Sequence, residues 1–195
     1  MPESPPVVLA ITGASGAPYA VRLLEMLATY SVSTWLLVSS HGWRLLAEEC
    51  GIKDEASLKK ATGGQWASVR VFNDGDRGAE PASGSVKTQG MVVCPCSMGT
   101  MAAIAHGTSR SLIERAADVT LKERRKLVLV PRETPLSLVH LRNMMHAAEA
   151  GAVILPAAPG FYQRPQEVGQ LVDFIVQRII DHFGLAIPLL KPWQG

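Results

Sequence analysis

The sequence predicts an α/β fold of three layers built around a mostly parallel sheet. Short apolar runs rich in β-branched residues alternate with longer helical patterns along the 195 residues, which is typical of βαβ units. The strand-like runs end in small, hydroxylated or charged residues. No internal repeat, linker or low-complexity tract divides the chain, and we therefore expect residues 1–195 to form a single domain.

The elements follow in order from the apolar runs and from helix start signals. Strands are expected at residues 7–11, 32–38, 69–72, 91–94, 127–130 and 152–155. Helices are expected at residues 19–30, 41–50, 53–62, 99–106, 111–125, 136–150 and 165–183. Pro18 suits the first turn of a helix, and Ser97 suits the N-cap of the helix after the fourth strand. Residues 73–90 carry neither pattern, and a loop of that length is usually functional or mobile.

Composition excludes several classes of protein. Hydrophobic residues make up 47% of the chain, charged residues make up 18%, and the net charge is +2, so neither a disordered chain nor a nucleic-acid-binding protein is expected. No apolar run reaches the roughly 18 residues that cross a bilayer, and the first residues lack a signal-peptide pattern. The small, odd number of cysteines indicates a reduced, cytoplasmic compartment. Cys94 and Cys96 have no further cysteine pair or nearby histidine, so no metal site is expected.

The residues that suggest chemistry stand at the strand exits. They are residues 12–17, residues 39–41, residues 94–100, residues 131–135 and residues 156–162. The carboxyl ends of parallel strands share one edge of a sheet, and ligands bind at that edge. The sequence therefore predicts a single pocket there.

The turn at residues 12–17 has small residues between a strand and a helix, a pattern that lets backbone N–H groups approach a phosphate. It is not a Walker A loop, because no Gly-Lys-Ser/Thr follows, and it lacks the spacing of a dinucleotide fingerprint. A mononucleotide phosphate site and a merely tight turn both remain open. Ser15 as the nucleophile of a serine hydrolase is disfavoured, because the second glycine of a nucleophile elbow is missing.

Several charged or polar residues have both a structural and a chemical interpretation. Ser97 and the residues after it are explained by helix capping alone, although their place at the shared edge favours a ligand. Arg132 and Glu133 follow the fifth strand, where an arginine suits phosphate and a glutamate suits proton transfer. An exposed ion pair is the alternative. Residues with an ordinary surface interpretation are Glu49, Lys122, Tyr162 and Arg178.

Six segments taken in order resemble one family. They are residues 12–17, 94–97, 114–119, 121–125, 131–135 and 151–162. Together they resemble the UbiX-type flavin prenyltransferases, within the wider group of flavin-binding decarboxylase-like proteins.

The resemblance implies a Rossmann-like, flavodoxin-like subunit in a large homo-oligomer, usually a dodecamer, with active sites between subunits. Reduced FMN is the implied acceptor and dimethylallyl phosphate the implied donor of a prenyl group that is joined to N5 and C6 of the flavin. The product, prenylated FMN, would serve a UbiD-type decarboxylase, in ubiquinone synthesis or in aromatic acid breakdown. The implied reaction needs no metal.

The resemblance also implies the site residues. Those implied to hold FMN are Gly13, Ala14, Ser15, Ser39, Ser97, Met98, Gly99, Thr100 and Arg132. Those implied to hold the donor phosphate are Lys122, Arg132, Glu133, Tyr162 and Arg178. Those implied to act in catalysis are Ser15, Glu49, Lys122 and Glu133. The residues fit this chemistry, because the chain has no Asp-Asp-x-x-Asp magnesium motif and cationic side chains can neutralise a leaving monophosphate.

One segment departs from the family pattern. Some members place a tryptophan in the loop at residues 73–81, near the prenyl group, and this chain has no aromatic residue there. Phe161, Tyr162 or Trp193 are candidates to replace it, and the donor preference could move toward the diphosphate. Two alternatives stay open: a flavin-dependent decarboxylase of the peptidyl-cysteine type, whose Asn- and Met-containing motif is not found here, and a non-catalytic FMN carrier.

Overall fold

A computed structural model describes residues 4–190 and contains a six-stranded sheet. The strands are β1 (Val7–Ile11), β2 (Thr34–Val38), β3 (Val69–Asn73), β4 (Gly90–Cys96), β5 (Lys126–Pro131) and β6 (Val153–Ile154). Neighbouring strands pair in parallel in the order β3-β2-β1-β4-β5-β6. This order is that of the Rossmann-type doubly wound sheet, and it confirms the predicted α/β fold.

Helices cover both faces of the sheet. They are α1 (Ala17–Thr29), α2 (Ser40–Cys50), α3 (Glu55–Ala61), α4 (Met98–Ala105), α5 (Leu112–Lys122), α6 (Leu138–Glu149) and α7 (Val168–Phe183). The apolar cores on the two faces are built on alternate residues of the same strands. Leu9 of β1 packs in the core with α1 and α7, and Ala10 packs in the core with α4 and α5, because successive side chains of a strand point to opposite faces. All five residues of β1 are buried, as expected for a strand covered on both sides.

The predicted elements are all present, and the differences lie at their ends. Helix α5 ends at Lys122 rather than at residue 125, because Arg124 adopts a left-handed conformation with φ 56° that turns the chain toward β5. Strand β6 keeps only two residues, Val153 and Ile154, which pair with Val128 and Leu129 of β5. No helix within residues 4–190 is both long and apolar enough to span a membrane.

Residues 74–89, which we call the α5 loop, run along helix α5 from one end to the other. Near the start of the helix, the Asp74 carbonyl accepts the N–H of Leu112 at 2.8 Å. Near its end, the Arg125 guanidinium donates to the carbonyls of Gly84 and Val86. The predicted irregular stretch therefore contains only one short 3-10 turn, Glu80–Ala82, but it is fixed to α5 at both ends.

Candidate functional site

Three helices begin around one cavity at the carboxyl edge of the sheet. Helices α2, α4 and α5 have Ser39, Ser97 and Ser111 as N-caps, and these serines all line a cavity of about 240 Å³. The cavity lies beside β1 and β4, where the strand order reverses. A reversal of strand order opens a crevice for ligands, and helix N-termini favour negative charge. The arrangement therefore suits an anion such as a nucleotide phosphate.

Thr12 and Gly13 form the part of the cavity wall that belongs to β1 and its exit. The Thr12 hydroxyl donates to the Pro95 carbonyl at 2.8 Å and accepts the N–H of Ser97 at 2.8 Å, which ties the exits of β1 and β4 together. A Cβ atom at Gly13 would overlap the Cβ atom of His41 in the first turn of α2. Only glycine fits at this position, and no side chain stands between its backbone and the cavity. The open backbone at Gly13 suits an anion such as a phosphate group.

The cavity also has two carboxylates, and both have partners. Asp74 accepts the N–H of Ile113 at 2.9 Å. Glu114 accepts the backbone N–H of Arg110 at 2.6 Å and its guanidinium at 3.0 Å. Burial acts to raise the pKa of Glu114, but the side chain and backbone of Arg110 outweigh it and hold the pKa below its usual value. The Glu114 charge is thus compensated by Arg110, and the Asp74 carboxylate caps the start of α5.

Ser15, Glu49 and Arg132 meet next to this cavity, at the start of α1. The Glu49 carboxylate accepts the N–H groups of Gly16 at 2.9 Å and Ala17 at 2.8 Å, and the Arg132 Nε donates to the Ser15 carbonyl at 3.0 Å. Burial acts to raise the pKa of Glu49, but the Gly16 N–H, the Ser15 hydroxyl, the Ala17 N–H and the charge of Arg132 together lower it. Glu49 is therefore an ionised carboxylate at neutral pH.

Glu49 changes the interpretation of the turn at residues 12–17. The sequence left open a phosphate site at this helix N-terminus. The first N–H groups of α1 are instead taken by the Glu49 carboxylate. The free donors for an anion belong to α2 and α4, whose N-caps Ser39 and Ser97 face the cavity.

The segment at residues 97–100 is present as predicted, with its polar atoms at the cavity. Ser97 caps α4 by accepting the N–H of Thr100 at 3.2 Å, and its hydroxyl donates to the Thr100 hydroxyl at 3.0 Å. The Met98 side chain is buried in the core, so its backbone is the part that can meet a ligand. Gly99 is exposed, and Ala14 is buried in the turn after β1.

Tyr162 and Arg178 lie together in a different groove, of about 620 Å³, between α7 and residues 185–190. The Tyr162 ring packs edge-on against Phe174 with centroids 5.8 Å apart. Arg178 pairs with Asp181 at 3.4 Å. The two residues are thus neighbours, as the donor-phosphate set requires, but their groove shares no lining residue with the cavity at Ser39 and Ser97.

Lys122 stands at the other end of the sheet. It ends α5, and β5 starts four residues later at Lys126, which pairs with Gly90 at the amino end of β4. The five residues of β1 separate this end from the exit at Ser15 by about 15 Å, at some 3.3 Å per residue. The prediction of a single pocket is therefore wrong for an isolated protomer.

Glu133 lies beside Arg132 at the β5 exit, where it is exposed. Its carboxylate accepts the N–H of Thr134 at 3.0 Å. The predicted set therefore divides into the cavity with its Ser15 corner, the Tyr162 groove and Lys122. Of the aromatic candidates for the missing loop tryptophan, Phe161 and Tyr162 are exposed, and Trp193 lies outside the described residues.

The cavity is also lined or supported by residues that the sequence analysis did not assign to it, among them Asp74, Arg110, Ser111 and Glu114. Two of them carried a usable signal. Asp74 follows the exit of β3, and Ser111 is a serine before an amphipathic helix. The Arg110–Glu114 pair had none, because only the folded loop brings the arginine backbone onto the carboxylate.

Within residues 4–190, no cluster of three or more His, Cys, Asp or Glu side chains has the arrangement of a metal site. Cys94 and Cys96 are buried on opposite faces of β4. Burial raises the pKa of the Cys96 thiol to about 12 and that of Cys94 further still. Both are therefore neutral thiols that serve as packing.

Comparison with known proteins identifies the class of protein that has this fold and this site at the carboxyl edge of the sheet. The sequence model of the Flavoprotein family matches residues 1–180, and the chain is a flavoprotein of that family. Within it, the flavin prenyltransferase UbiX of Pseudomonas aeruginosa is 47% identical over 194 residues, which cover 96% of this chain and 93% of that protein. The chain belongs to the UbiX-type flavin prenyltransferases, as the sequence motifs predict.

Two solved structures agree with this assignment. AnUbiX (PadA1), in complex with FMN and dimethylallyl pyrophosphate, has a TM-score of 0.89 and 40% identity, with 98% of each chain covered. A dodecameric FMN-dependent UbiX-like decarboxylase from Escherichia coli O157:H7 has a TM-score of 0.89 and 40% identity, with 97% of this chain and 99% of that chain covered.

Proposed function

We propose that this protein is a flavin prenyltransferase, which joins the dimethylallyl group of dimethylallyl phosphate to N5 and C6 of reduced FMN. The single observation that carries the proposal is the 47% identity to a flavin prenyltransferase over nearly the whole chain. The AnUbiX complex, which contains FMN and dimethylallyl pyrophosphate, supports FMN as the acceptor and a phosphorylated dimethylallyl compound as the donor. We further propose that residues 1–195 form one FMN-binding domain.

The FMN phosphate is assigned to the cavity between Ser39, Ser97 and Gly13. The support is the convergence of helix N-termini there, and the backbone of Gly13, where a Cβ atom would overlap His41. The implied backbone contacts of residues 98–100 extend this set. Arg132 and Ser15, joined by a hydrogen bond next to the cavity, are assigned to the flavin ring together with Ala14.

The leaving phosphate is assigned to Lys122, Arg132, Glu133, Tyr162 and Arg178. The allylic C–O bond breaks with its electron pair on the phosphate, and fixed positive charge stabilises that pair. A C–N5 bond forms and N5 gives up a proton. For ring closure, the alkene of the N5-dimethylallyl group takes up a proton, C6 forms a bond to the tertiary carbon, and C6 gives up its own proton. The flavin stays reduced, so the reaction needs no oxidant, and the positive side chains take the place of a metal at the leaving phosphate.

Proton transfer is assigned to Ser15, Glu49 and Glu133. Glu49 is suited to receive a proton, because it is ionised and lies at Ser15. Glu133 is exposed at the β5 exit and can exchange protons with water.

The positions of these residues support assembly into a homo-oligomer. Lys122 is separated from Ser15 by the length of the sheet, so it can complete a site only in another copy. Helix α6 exposes Leu138, Val139, Leu141 and Met145, an apolar face that a second copy would cover. A homo-oligomer follows, and the dodecameric relative from Escherichia coli supports a dodecamer.

The product, prenylated FMN, is assigned to a UbiD-type decarboxylase as recipient, with both proteins in the cytoplasm. The support is the family to which the chain belongs and the free, reduced state of Cys50, Cys94 and Cys96.

The test is to incubate the assembled protein with reduced FMN and dimethylallyl phosphate, without metal, and to follow phosphate release and flavin mass. A flavin heavier by one C5H8 unit supports the proposal. Unchanged flavin with carbon dioxide released from a peptidyl-cysteine substrate would support the decarboxylase instead. Tight FMN binding with neither event would support a carrier. The diphosphate donor is run in parallel, because the loop lacks the tryptophan of some members.

A further inference from the structure

Lys122 stands at the exposed end of α5 and lies against the α5 loop on one side. Its ammonium group forms an ion pair with Glu123. A Cβ atom at Gly84 would lie 2.7 Å from the Lys122 Nζ and would overlap the Glu123 carboxylate. The loop backbone therefore lies directly against the ion pair, and a side chain at position 84 would displace the charged ends of Lys122 and Glu123.

Arg125 fixes that part of the loop. Its Nη2 donates to the Gly84 carbonyl at 2.6 Å, and its Nη1 donates to the Val86 carbonyl at 2.8 Å. The planar guanidinium can hold two carbonyls at once because its donors form a rigid fork. The left-handed residue Arg124 turns the chain after α5, so that Arg125 reaches back to the loop rather than continuing the helix.

We propose that Gly84 and Arg125 are positioning residues that set the direction in which Lys122 presents its ammonium group to the phosphate of the prenyl donor. The proposal rests on the proposed function of Lys122. Arg125 holds the loop carbonyls in place, and the Gly84 backbone limits the space into which the Lys122 side chain can turn. Glu123 pairs with the Lys122 ammonium group until a phosphate takes its place.

The direction of the Lys122 side chain matters, because a lysine at an exposed helix end carries a compact point charge on a flexible four-carbon stem. Such a charge lowers the barrier to phosphate departure only where it stands close to the oxygen that gains charge. Since Lys122 serves a site in another copy, its own protomer has to aim it, and the α5 loop is the element in contact with it.

The test compares Lys122→Ala, Arg125→Gln and Gly84→Ala with the double variant of Lys122→Ala and Arg125→Gln, all as assembled protein. Arg124→Gln is the matched control, because it removes the same charge one residue away and touches none of the loop carbonyls. Steady-state kinetics give kcat and KM for dimethylallyl phosphate. Inorganic phosphate serves as a competitive probe of the phosphate site, and FMN affinity and Tm report on the fold.

We expect Arg125→Gln and Gly84→Ala to lose about 10- to 100-fold in kcat/KM for the donor, because a misplacement of about 1 Å has that effect. Inorganic phosphate should inhibit both variants more weakly, while FMN affinity stays within about twofold, the scatter expected for distant sites. In the Lys122→Ala background, Arg125→Gln should cost nothing further. Arg124→Gln should match the unaltered protein.

Two results would overturn the proposal while leaving the function intact: full activity of both Arg125→Gln and Gly84→Ala beside an impaired Lys122→Ala, or losses that multiply in the double variant. If Arg125→Gln fails to assemble, Gly84→Ala decides alone, since it leaves the guanidinium fork in place. A fully active Lys122→Ala would remove Lys122 from the reaction, and the positioning role with it. Absence of prenyl transfer in the unaltered protein would instead refute the proposed function.

Discussion

Replacing Gly13 with alanine is expected to disturb the proposed FMN phosphate site, because Gly13 lies tightly against His41 in the cavity wall. The added methyl group would overlap the His41 Cβ and lie 3.4 Å from its Cγ. His41 belongs to the first turn of α2, so relief requires that the start of this helix move away from β1. Over-packing of this kind costs about 1–3 kcal/mol, and a protein of this size loses about 2–4 °C in Tm for each kcal/mol.

The same shift moves the N–H groups of α2 away from the phosphate. Loss of one hydrogen bond to a charged group costs about 1.5–3 kcal/mol, which weakens the Kd for FMN by about 10- to 150-fold. Calorimetric titration with FMN, and with riboflavin as the analogue that lacks the phosphate, measures this loss. Thermal unfolding without flavin measures the packing cost separately.

Gly169→Ala is the matched control, because a Cβ atom there meets nothing within 4 Å and the residue stands in the first turn of α7. It should leave both Tm and FMN affinity close to their original values. If Gly13→Ala also leaves Tm and FMN affinity unchanged, the close contact of Gly13 with His41 does not shape the FMN site. An equal loss for riboflavin and FMN would show that Gly13 does not act on the phosphate.

Three further expectations concern catalysis, assembly and pH. Glu49→Gln should slow ring closure more than N5 alkylation, because it removes the ionised carboxylate at Ser15; quenched-flow mass spectrometry of the flavin separates the two steps, and equal slowing would reject this role. Hybrids of inactive Ser15→Ala and Lys122→Ala subunits, mixed equally, should regain about a quarter of the sites as intact ones, whereas sites built within one protomer would regain none. The pKa of Glu114 is lowered on folding, so its pairing with Arg110 stabilises the fold above the unfolded pKa, and this stability is lost as pH falls through the folded pKa. Arg110→Gln should therefore flatten the fall of Tm in acid, and an unaltered acid limb would contradict the assignment.

The sheet and the cavity could be predicted from the sequence because both depend on local patterns. Buried parallel strands read as apolar runs, and the exits of β1, β2 and β4 meet at one edge by the geometry of parallel pairing. Ser97 was predicted as an N-cap and is one. The end of α5 was less predictable, since it depends on a left-handed residue at position 124.

The grouping of the remaining residues depends on contacts that no pattern encodes. Glu49 reads as a surface residue at a helix end, and only the packing of α2 beside α1 brings it to Gly16 and Ala17. Lys122 ends a helix at the amino edge of the sheet, so its membership of the site follows from the family motif and not from the protomer. The Arg125 contacts with Gly84 and Val86 cross some 40 residues of chain, a separation at which sequence spacing carries no information.

Helix α2 spans both halves of the flavin region. Its N-cap Ser39 faces the cavity, and its penultimate residue Glu49 reaches the start of α1. Ten residues of α-helix measure about 15 Å, with about 100° of rotation for each residue. The length of helix α2 thus sets the distance and the angle between Ser39 and Glu49. Insertion or deletion of a single residue within the helix would rotate the Glu49 carboxylate away from the N–H groups of Gly16 and Ala17. The length of this helix, and not only the identity of its end residues, is therefore under constraint.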